Sequence, residues 1–100
     1  MTMHTIILVE VTGGHRSYDQ YPTVRGAMNG VCQLFEKKLK LQYPNKDQIT
    51  YDIKDLNSYI DSLPDLVAMT LNERESVYVP RNKSWIKQEV LNHLKQQANE

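Results

Sequence analysis

Several features are scarce in this 100-residue sequence, and each scarcity excludes a class of protein. A single cysteine, Cys32, cannot form an internal disulfide framework and suits a reducing compartment. Apolar runs such as Ile6 to Val9 are far shorter than the roughly 20 residues that span a bilayer. The first residues lack the basic and apolar regions of a signal peptide. We therefore expect a protein of the nucleus or cytoplasm that is not secreted.

An excess of charge of one sign is also missing. Twelve Lys and Arg residues balance twelve Asp and Glu residues, so the formal net charge is zero. A dedicated nucleic-acid binder needs a marked excess of Lys and Arg on one face. A chain of this length also buries only roughly 60–65% of its unfolded surface. Size and neutrality together favour a protein that works by contact with other proteins.

The hydrophobic pattern predicts an α+β fold with the element order β-α-α-β-β-α, in a single domain that spans residues 1–100. The three predicted helices are expected to pack on one face of a three-stranded antiparallel sheet. The predicted elements are strands at Thr5–Val11, Leu66–Leu71 and Val77–Val79, helices that begin after Thr23, Asp52 and Asn82, and a loop from Gly13 to Tyr21.

Two glycines, Gly26 and Gly30, lie inside the predicted first helix. Each costs about 1 kcal/mol relative to alanine in a helix interior. We therefore predict that another backbone approaches the helix closely at these positions.

The first strand is apolar on both of its faces. Its side chains alternate, so one face carries Thr5, Ile7, Val9 and Val11 and the other carries His4, Ile6, Leu8 and Glu10. A sheet that helices cover on one face only is expected to be polar on the other face. Ile6 and Leu8, framed by His4 and Glu10, therefore predict an interface through which two copies of the chain pair by their sheets. The alternative is a long loop that folds over the two aliphatic side chains.

Several segments match one known pattern in chain order. They include His4-Thr5-Ile6-Ile7-Leu8-Val9, Arg16-x-Tyr18-x-x-Tyr21, Tyr59-Ile60-Asp61 and Tyr78-x-Pro80-x-Asn82-Lys83-x-Trp85. Through these segments the chain resembles the enhancer of rudimentary homolog family of small eukaryotic proteins, over essentially its whole length. The loop at Thr12–His15 and the hairpin tip at Asn72–Glu75 differ from close animal members, as expected of a diverged paralogue with its own partners.

The resemblance implies three antiparallel strands, three helices and a homodimer that pairs sheet to sheet around a hydrophobic centre. It also implies a non-catalytic adaptor in RNA processing or small-RNA production, with an effect on cell division. Members of the family hold short segments of larger proteins. We accordingly expect no cofactor, no direct DNA binding and no membrane partner.

Tyrosines and lysines supply the remaining candidate binding residues. The candidate partner-binding residues are Tyr18, Tyr21, Tyr51 and Tyr78. For each of them a half-buried packing role is an equal alternative. The basic cluster consists of Lys37, Lys38 and Lys40, which we interpret as a solvated helix end. The alternative function is direct binding of single-stranded RNA by these lysines and the surface tyrosines.

Catalytic and metal-binding constellations are not evident in the sequence. His4, His15 and His93 lack the short spacing of metal ligands. Cys32 lies in the middle of a predicted helix, and we interpret it as a buried structural thiol rather than a nucleophile. We therefore predict neither a catalytic residue nor a metal site.

Overall fold

The computed structural model describes residues 3–12, 14–46 and 50–98, and within them an antiparallel sheet of four strands carries three helices on one face. The elements follow one another in the order β-β-α-α-β-β-α. They are β1 (Thr5–Thr12), β2 (His15–Tyr21), α1 (Val24–Gln42), α2 (Ile53–Ser62), β3 (Asp65–Asn72), β4 (Val77–Arg81) and α3 (Lys83–Ala98). The α+β class and the three helices are as the sequence predicts, whereas the sheet has one strand more.

The additional strand is β2, so the predicted loop that ends at Tyr21 is wrong. β2 pairs antiparallel with β1 from Thr5–Tyr21 to Glu10–Arg16, at one edge of a sheet ordered β2-β1-β3-β4. Its residues are exposed except Tyr21, which is half-buried. An edge strand held by backbone pairing needs no apolar alternation, so the hydrophobic pattern carries no sign of it.

A short connection joins β1 to β2. Gly14 has a φ of +86°, a left-handed conformation that glycine adopts without steric cost. Gly13, the other residue of the predicted turn, lies outside the described residues. β1 ends at Thr12, and the chain continues from His15 as the paired strand β2 rather than as the predicted loop.

Side-chain caps begin the helices where the sequence predicts them. Thr23 Oγ1 accepts a hydrogen bond from a backbone N–H in the first turn of α1, at 3.0 Å. At α2, Asp52 and Asp55 each accept from the other's backbone N–H, at 2.9 and 3.2 Å, which forms a capping box. Asn82 Oδ1 accepts from a backbone N–H in the first turn of α3 at 2.9 Å. Each cap satisfies donors that the helix itself leaves without partners.

The hydrophobic core lies between the helices and one face of the sheet. Its sheet side is formed by Ile7 and Val9 of β1 and by Leu66 and Ala68 of β3. The helices contribute Met28, Val31, Leu56, Ile60, Ile86 and Val90, all of which are nearly inaccessible to solvent. Burying an aliphatic side chain of this size contributes about 1.5–3 kcal/mol. Because all three helices join this single cluster, they leave the opposite face of the sheet without helices.

Gly30 is required because the Tyr21 side chain lies directly against α1. A Cβ atom on Gly30 would lie 2.2 Å from the Tyr21 hydroxyl oxygen and 2.6 Å from Tyr21 Cζ. The predicted close approach is therefore present, but its partner is a side chain from the end of β2 and not another backbone. At Gly26 the nearest atom to such a Cβ is Thr23 Oγ1, which belongs to the helix cap.

We expect Gly30→Ala to destabilise the wild-type protein but to stabilise a Tyr21→Ala background. In the wild type the new methyl group must displace the Tyr21 ring. Without that ring, the higher helix propensity of alanine should add about 1 kcal/mol to the free energy of unfolding. Urea unfolding of the four proteins at one protein concentration measures this coupling. An effect of the same sign in both backgrounds would contradict it.

Candidate interface on the uncovered sheet face

The face of the sheet opposite the helices is apolar at its centre. In β1 the buried side chains of Thr5, Ile7 and Val9 lie on the helix side, so those of Ile6 and Leu8 point the other way. Residues paired across neighbouring strands share a face, which extends the apolar surface over all four strands. We call this surface the outer sheet patch; its members are Ile6, Leu8, Tyr18, Val67, Met69, Leu71, Tyr78 and Pro80.

The outer sheet patch is open to solvent. Leu8 retains 40% of its accessible surface and Tyr18 retains 63%, and Tyr78 and Pro80 are also exposed. The remaining members are half-buried: Ile6, Val67, Met69 and Leu71. No segment within residues 3–12, 14–46 and 50–98 folds over Leu8, because the stretch that follows β1 is the edge strand β2. The loop alternative therefore does not hold for the part of the chain described. A contiguous apolar surface of this kind on a small protein marks an interaction site.

Polar residues lie at both ends of the β1 part of the patch. Arg16 Nε donates to Glu10 Oε1 at 2.7 Å across the β1–β2 pair, and this hydrogen bond raises the pKa of Arg16. At the other end His4 Nδ1 lies 2.8 Å from Thr5 Oγ1. His4 and Glu10 thus flank the two aliphatic residues of β1 as the sequence predicts. An apolar centre with a polar rim is the usual anatomy of a protein interface.

The four candidate tyrosines divide between the two faces of the sheet. Tyr18 and Tyr78 belong to the outer sheet patch, and the Tyr78 hydroxyl donates to the Met3 carbonyl oxygen at 2.6 Å. Tyr21 and Tyr51 lie on the helix side, where both are half-buried and pack against the core cluster. The structure therefore does not bring the four residues together into one site.

The Tyr51 side chain lies against Cys32, a buried residue of α1. The Tyr51 ring meets Phe35 edge to face at a centroid distance of 4.9 Å, and its hydroxyl donates to Glu36 Oε2 at 3.1 Å. Burial, with a smaller contribution from the charge of Glu36, raises the pKa of Cys32 to about 11. Cys32 is buried, as the sequence predicts, and its raised pKa favours the protonated thiol.

The histidines lie on separate elements, and the described chain shows no metal site. His4 precedes β1, His15 begins β2 and His93 belongs to α3. Over residues 3–12, 14–46 and 50–98, no three His, Cys, Asp or Glu side chains are grouped so that they could hold a metal ion. In the same ranges no helix has both the length and the apolar character needed to cross a bilayer.

His93 is a buried polar group that the sequence pattern did not single out. It retains only 4% of its accessible surface, between α1 and α3, beside Arg25 and Glu89. Neither ring nitrogen has a hydrogen-bond partner in the part of the chain that the structure describes. Burial and, to a smaller extent, the positive charge of Arg25 lower the pKa of His93. The folded protein therefore favours the neutral imidazole.

The basic cluster on α1 is exposed and borders two cavities, one lined by Lys37 and Lys38 and the other by Lys37 and Lys40. The Lys38 ammonium lies over the Tyr59 ring, 5.3 Å from its centroid, whereas Lys37 and Lys40 flank a different surface beside Glu36. The helices cover the sheet face opposite the outer sheet patch. The lysines and the patch tyrosines Tyr18 and Tyr78 therefore lie on opposite sides of the sheet, whereas the exposed Tyr43 shares a cavity with Lys38.

Sequence reasoning identified only part of the outer sheet patch. The sequence of β3 also has apolar side chains on both faces, as that of β1 does. Its buried face carries Leu66 and Ala68, and its other face carries Val67, Met69 and Leu71. What the local sequence does not reveal is that β3 pairs directly with β1, because strand order depends on tertiary contacts. That pairing joins two short apolar stripes into one surface.

Comparison with known proteins gives a consistent result over the whole chain. A family model described as Enhancer of rudimentary matches residues 1–100. The chain is 41% identical over 97 residues to the Enhancer of rudimentary homolog of Dictyostelium discoideum, which covers 95% of this chain and 97% of the relative. It is 42% identical over 98 residues to the homolog of Arabidopsis thaliana, covering 96% and 90% of the two chains. It is 39% identical over 97 residues to Protein enhancer of rudimentary of Drosophila virilis, covering 95% and 93%.

We expect His93→Leu to reduce the loss of stability as the pH falls from about 7.5 to about 5.5. The pKa of His93 is lower in the folded protein than the ordinary value of 6.5, so the unfolded chain takes up the proton first. The stability that depends on neutral His93 is complete above pH 6.5 and is lost below it, at up to about 1.4 kcal/mol per pH unit.

Urea unfolding at several pH values measures this slope for the wild type and for His93→Leu. His15→Asn, at an exposed position, is the control and should keep the wild-type slope. An equal slope in His93→Leu and in the wild type would contradict the assignment.

Proposed function

The chain belongs to the enhancer of rudimentary family, and from this membership and its outer sheet patch we propose that it is a non-catalytic homodimeric adaptor. In this proposal two copies pair through their outer sheet patches and present a joint surface to other proteins. The observation that carries the proposal is the open apolar face of the four-stranded sheet, with Leu8 at its centre.

The chemistry of the patch favours a second copy of the same chain as its occupant. A two-fold axis places a surface against itself, so a self-complementary surface needs an apolar centre without unpaired charge. The patch meets this requirement, because Arg16 and Glu10 already neutralise each other at its rim. Pairing also removes Ile6 and Leu8 from water, and each such side chain contributes about 1.5–3 kcal/mol when fully buried. A partner copy thus supplies burial that a 100-residue chain lacks.

The adaptor part of the proposal concerns the partners. The dimer binds short segments of proteins that act in RNA-processing or small-RNA complexes, in the nucleus or cytoplasm, with an effect on cell division. The zero net charge supports a link to RNA through proteins rather than by direct contact. The absence of a grouped metal-ligand set among the described residues is compatible with this role but does not carry it.

We expect the wild-type protein to have twice the 11.7 kDa chain mass in light scattering at micromolar concentration, and Leu8→Arg to have the mass of one chain. The substitution would place two uncompensated charges in the dimer centre, which costs several kcal/mol. Ile6→Arg should have the same effect.

Val77→Arg is the matched control, because Val77 is an exposed apolar residue of β4 outside the outer sheet patch. It should remain dimeric. Circular dichroism verifies that each variant is folded. A wild-type protein that is already monomeric at micromolar concentration would overturn the dimer.

Affinity purification from the native cell, followed by mass spectrometry, tests the adaptor role. We expect the wild type to recover RNA-processing or small-RNA proteins and Leu8→Arg to lose those that require the dimer. Val77→Arg should recover the same set as the wild type. Recovery of an unrelated class of proteins, unchanged in the monomeric variant, would argue against the proposal.

A further inference from the structure

A second apolar surface lies on the helix side of the sheet, where α1 passes the second half of β1 and the first half of β2. It includes two open cavities, of about 520 Å³ and about 650 Å³, and Tyr59 lines both. The two cavities share Lys38, Tyr59 and Ser62 in their linings, so they adjoin. We call the combined depression the α1 trough.

The larger cavity of the α1 trough has an aliphatic wall that the fold leaves open. Val9, Leu34 and Leu63 form its inner side, and Val11 and Leu41 form its mouth. Leu41 retains 77% of its accessible surface and Val11 retains 45%. A largely exposed leucine beside a cavity with aliphatic walls is a place where an apolar side chain of a partner can be buried.

Positive charge borders this cavity. Lys37 and Lys38 line it, and among the described residues no acidic side chain belongs to its lining. In the adjoining cavity the Lys46 ammonium lies over the Tyr43 ring at 5.1 Å, and Asp55 is engaged in the capping box of α2. The mouth of the trough is therefore locally cationic in a chain whose net charge is zero. Complementary charge favours an acidic occupant and selects against a basic one.

An open strand edge lies beside the same cavity. β2 pairs only with β1 within the described ranges, so its outer edge is unpaired, and Ser17 of β2 lines the cavity. An extended polypeptide placed there could pair with the backbone of β2 as well as bury a side chain. Nucleic acid has no backbone groups that would continue a sheet.

We propose that the α1 trough binds an acidic segment of a partner protein, with an apolar side chain of that segment between Val11 and Leu41 and its carboxylates facing Lys37 and Lys38. This inference rests on the proposed adaptor function and names the surface that the partner segment occupies. Single-stranded RNA would instead use Tyr43, the exposed ring of the adjoining cavity, as a stacking platform, but the walls of the larger cavity, where Lys37 and Lys38 lie, are mainly aliphatic and Tyr59 is buried.

The test is a selection from a display library of random peptides of about 12 residues, which span roughly 40 Å when extended. The wild-type protein is the bait, and fluorescence anisotropy then measures the enriched peptides. We expect them to combine an apolar residue with neighbouring Asp or Glu residues. We also expect their affinity to fall with rising salt, because screening weakens the contacts with the lysines.

Leu41→Glu and Lys38→Glu should each weaken these peptides by about tenfold or more, since both place a carboxylate where the acidic segment binds. Val77→Glu and Lys95→Glu are matched controls at exposed positions outside the trough, and both should bind as the wild type does. Because Leu41 is largely exposed, Leu41→Glu should remain folded, which circular dichroism verifies.

Three outcomes would overturn the proposal. The first is a selection that enriches no peptide, or only peptides that bind Leu41→Glu and the wild type equally. The second is tighter binding of a 12-nucleotide uridine RNA than of the enriched peptides, with the loss in Lys38→Glu confined to the RNA. The third is loss of the dimer in Leu41→Glu, since the trough would then be an interface between copies.

Failure of the trough and failure of the proposed dimer are distinguishable in this experiment. If the wild-type protein is monomeric and the peptides bind it through Leu41 and Lys38, the trough proposal holds and the dimer proposal fails. If the protein is a dimer and the peptides bind both trough variants as tightly as the wild type, the adaptor proposal holds and the trough proposal fails.

Discussion

The rest of the structure depends on the position of β1 as a central strand with apolar side chains on both faces and helices on only one. Ile7 and Val9 join the core beneath the helices, whereas Ile6 and Leu8 lie on the opposite face. A chain of 100 residues cannot supply a second layer of helices, because the ratio of surface to volume limits what it can cover. Neighbouring strands add further apolar side chains to the open face. The chain therefore leaves on its surface apolar side chains that a larger protein would bury under a second layer of structure.

The limited cover that a short chain can give its apolar side chains also explains the α1 trough. The first part of α1 is held in the core by residues such as Met28, Val31 and Phe35. In its last turns Leu41 and the lysines of the basic cluster are exposed to solvent. Tyr59 lines both cavities, with its ring stacked near Phe35 at 5.0 Å and the Lys38 ammonium over it. The α1 trough is thus the solvent-exposed edge of the hydrophobic core and not a pocket separate from it.

The sequence predicts those parts of this arrangement that depend on local periodicity. The helix caps at Thr23 and Asp52 and the two-faced character of β1 follow from spacing and residue type, and the structure confirms them. β2 was missed because its pairing is carried by backbone hydrogen bonds, and its exposed side chains have no apolar alternation. The contact that requires Gly30 was assigned to the wrong partner, because no local pattern places the Tyr21 ring against α1.

Surfaces assembled from distant segments are the hardest to predict. Val11 and Leu41 are 30 positions apart in the sequence, and each alone reads as an ordinary exposed aliphatic residue. Only the passage of α1 beside the β1–β2 hairpin brings them to the mouth of one cavity. The outer sheet patch has the same character, since it needs the antiparallel pairing of β1 with β3 to become continuous. In both cases the sequence identifies the apolar residues, but it does not predict that they lie next to one another in the fold.

The outer sheet patch and the α1 trough lie on opposite sides of the sheet and have no residue in common. In the proposed dimer, pairing through the patch therefore leaves both troughs accessible, one on each copy. Two equivalent troughs on a rigid two-fold unit favour a partner that is itself paired or that carries two acidic segments. Binding of the first segment then raises the effective concentration of the second, so affinity increases without any new contact. An adaptor can in this way hold a larger complex firmly although each single segment binds weakly and the chain has no net charge to attract it.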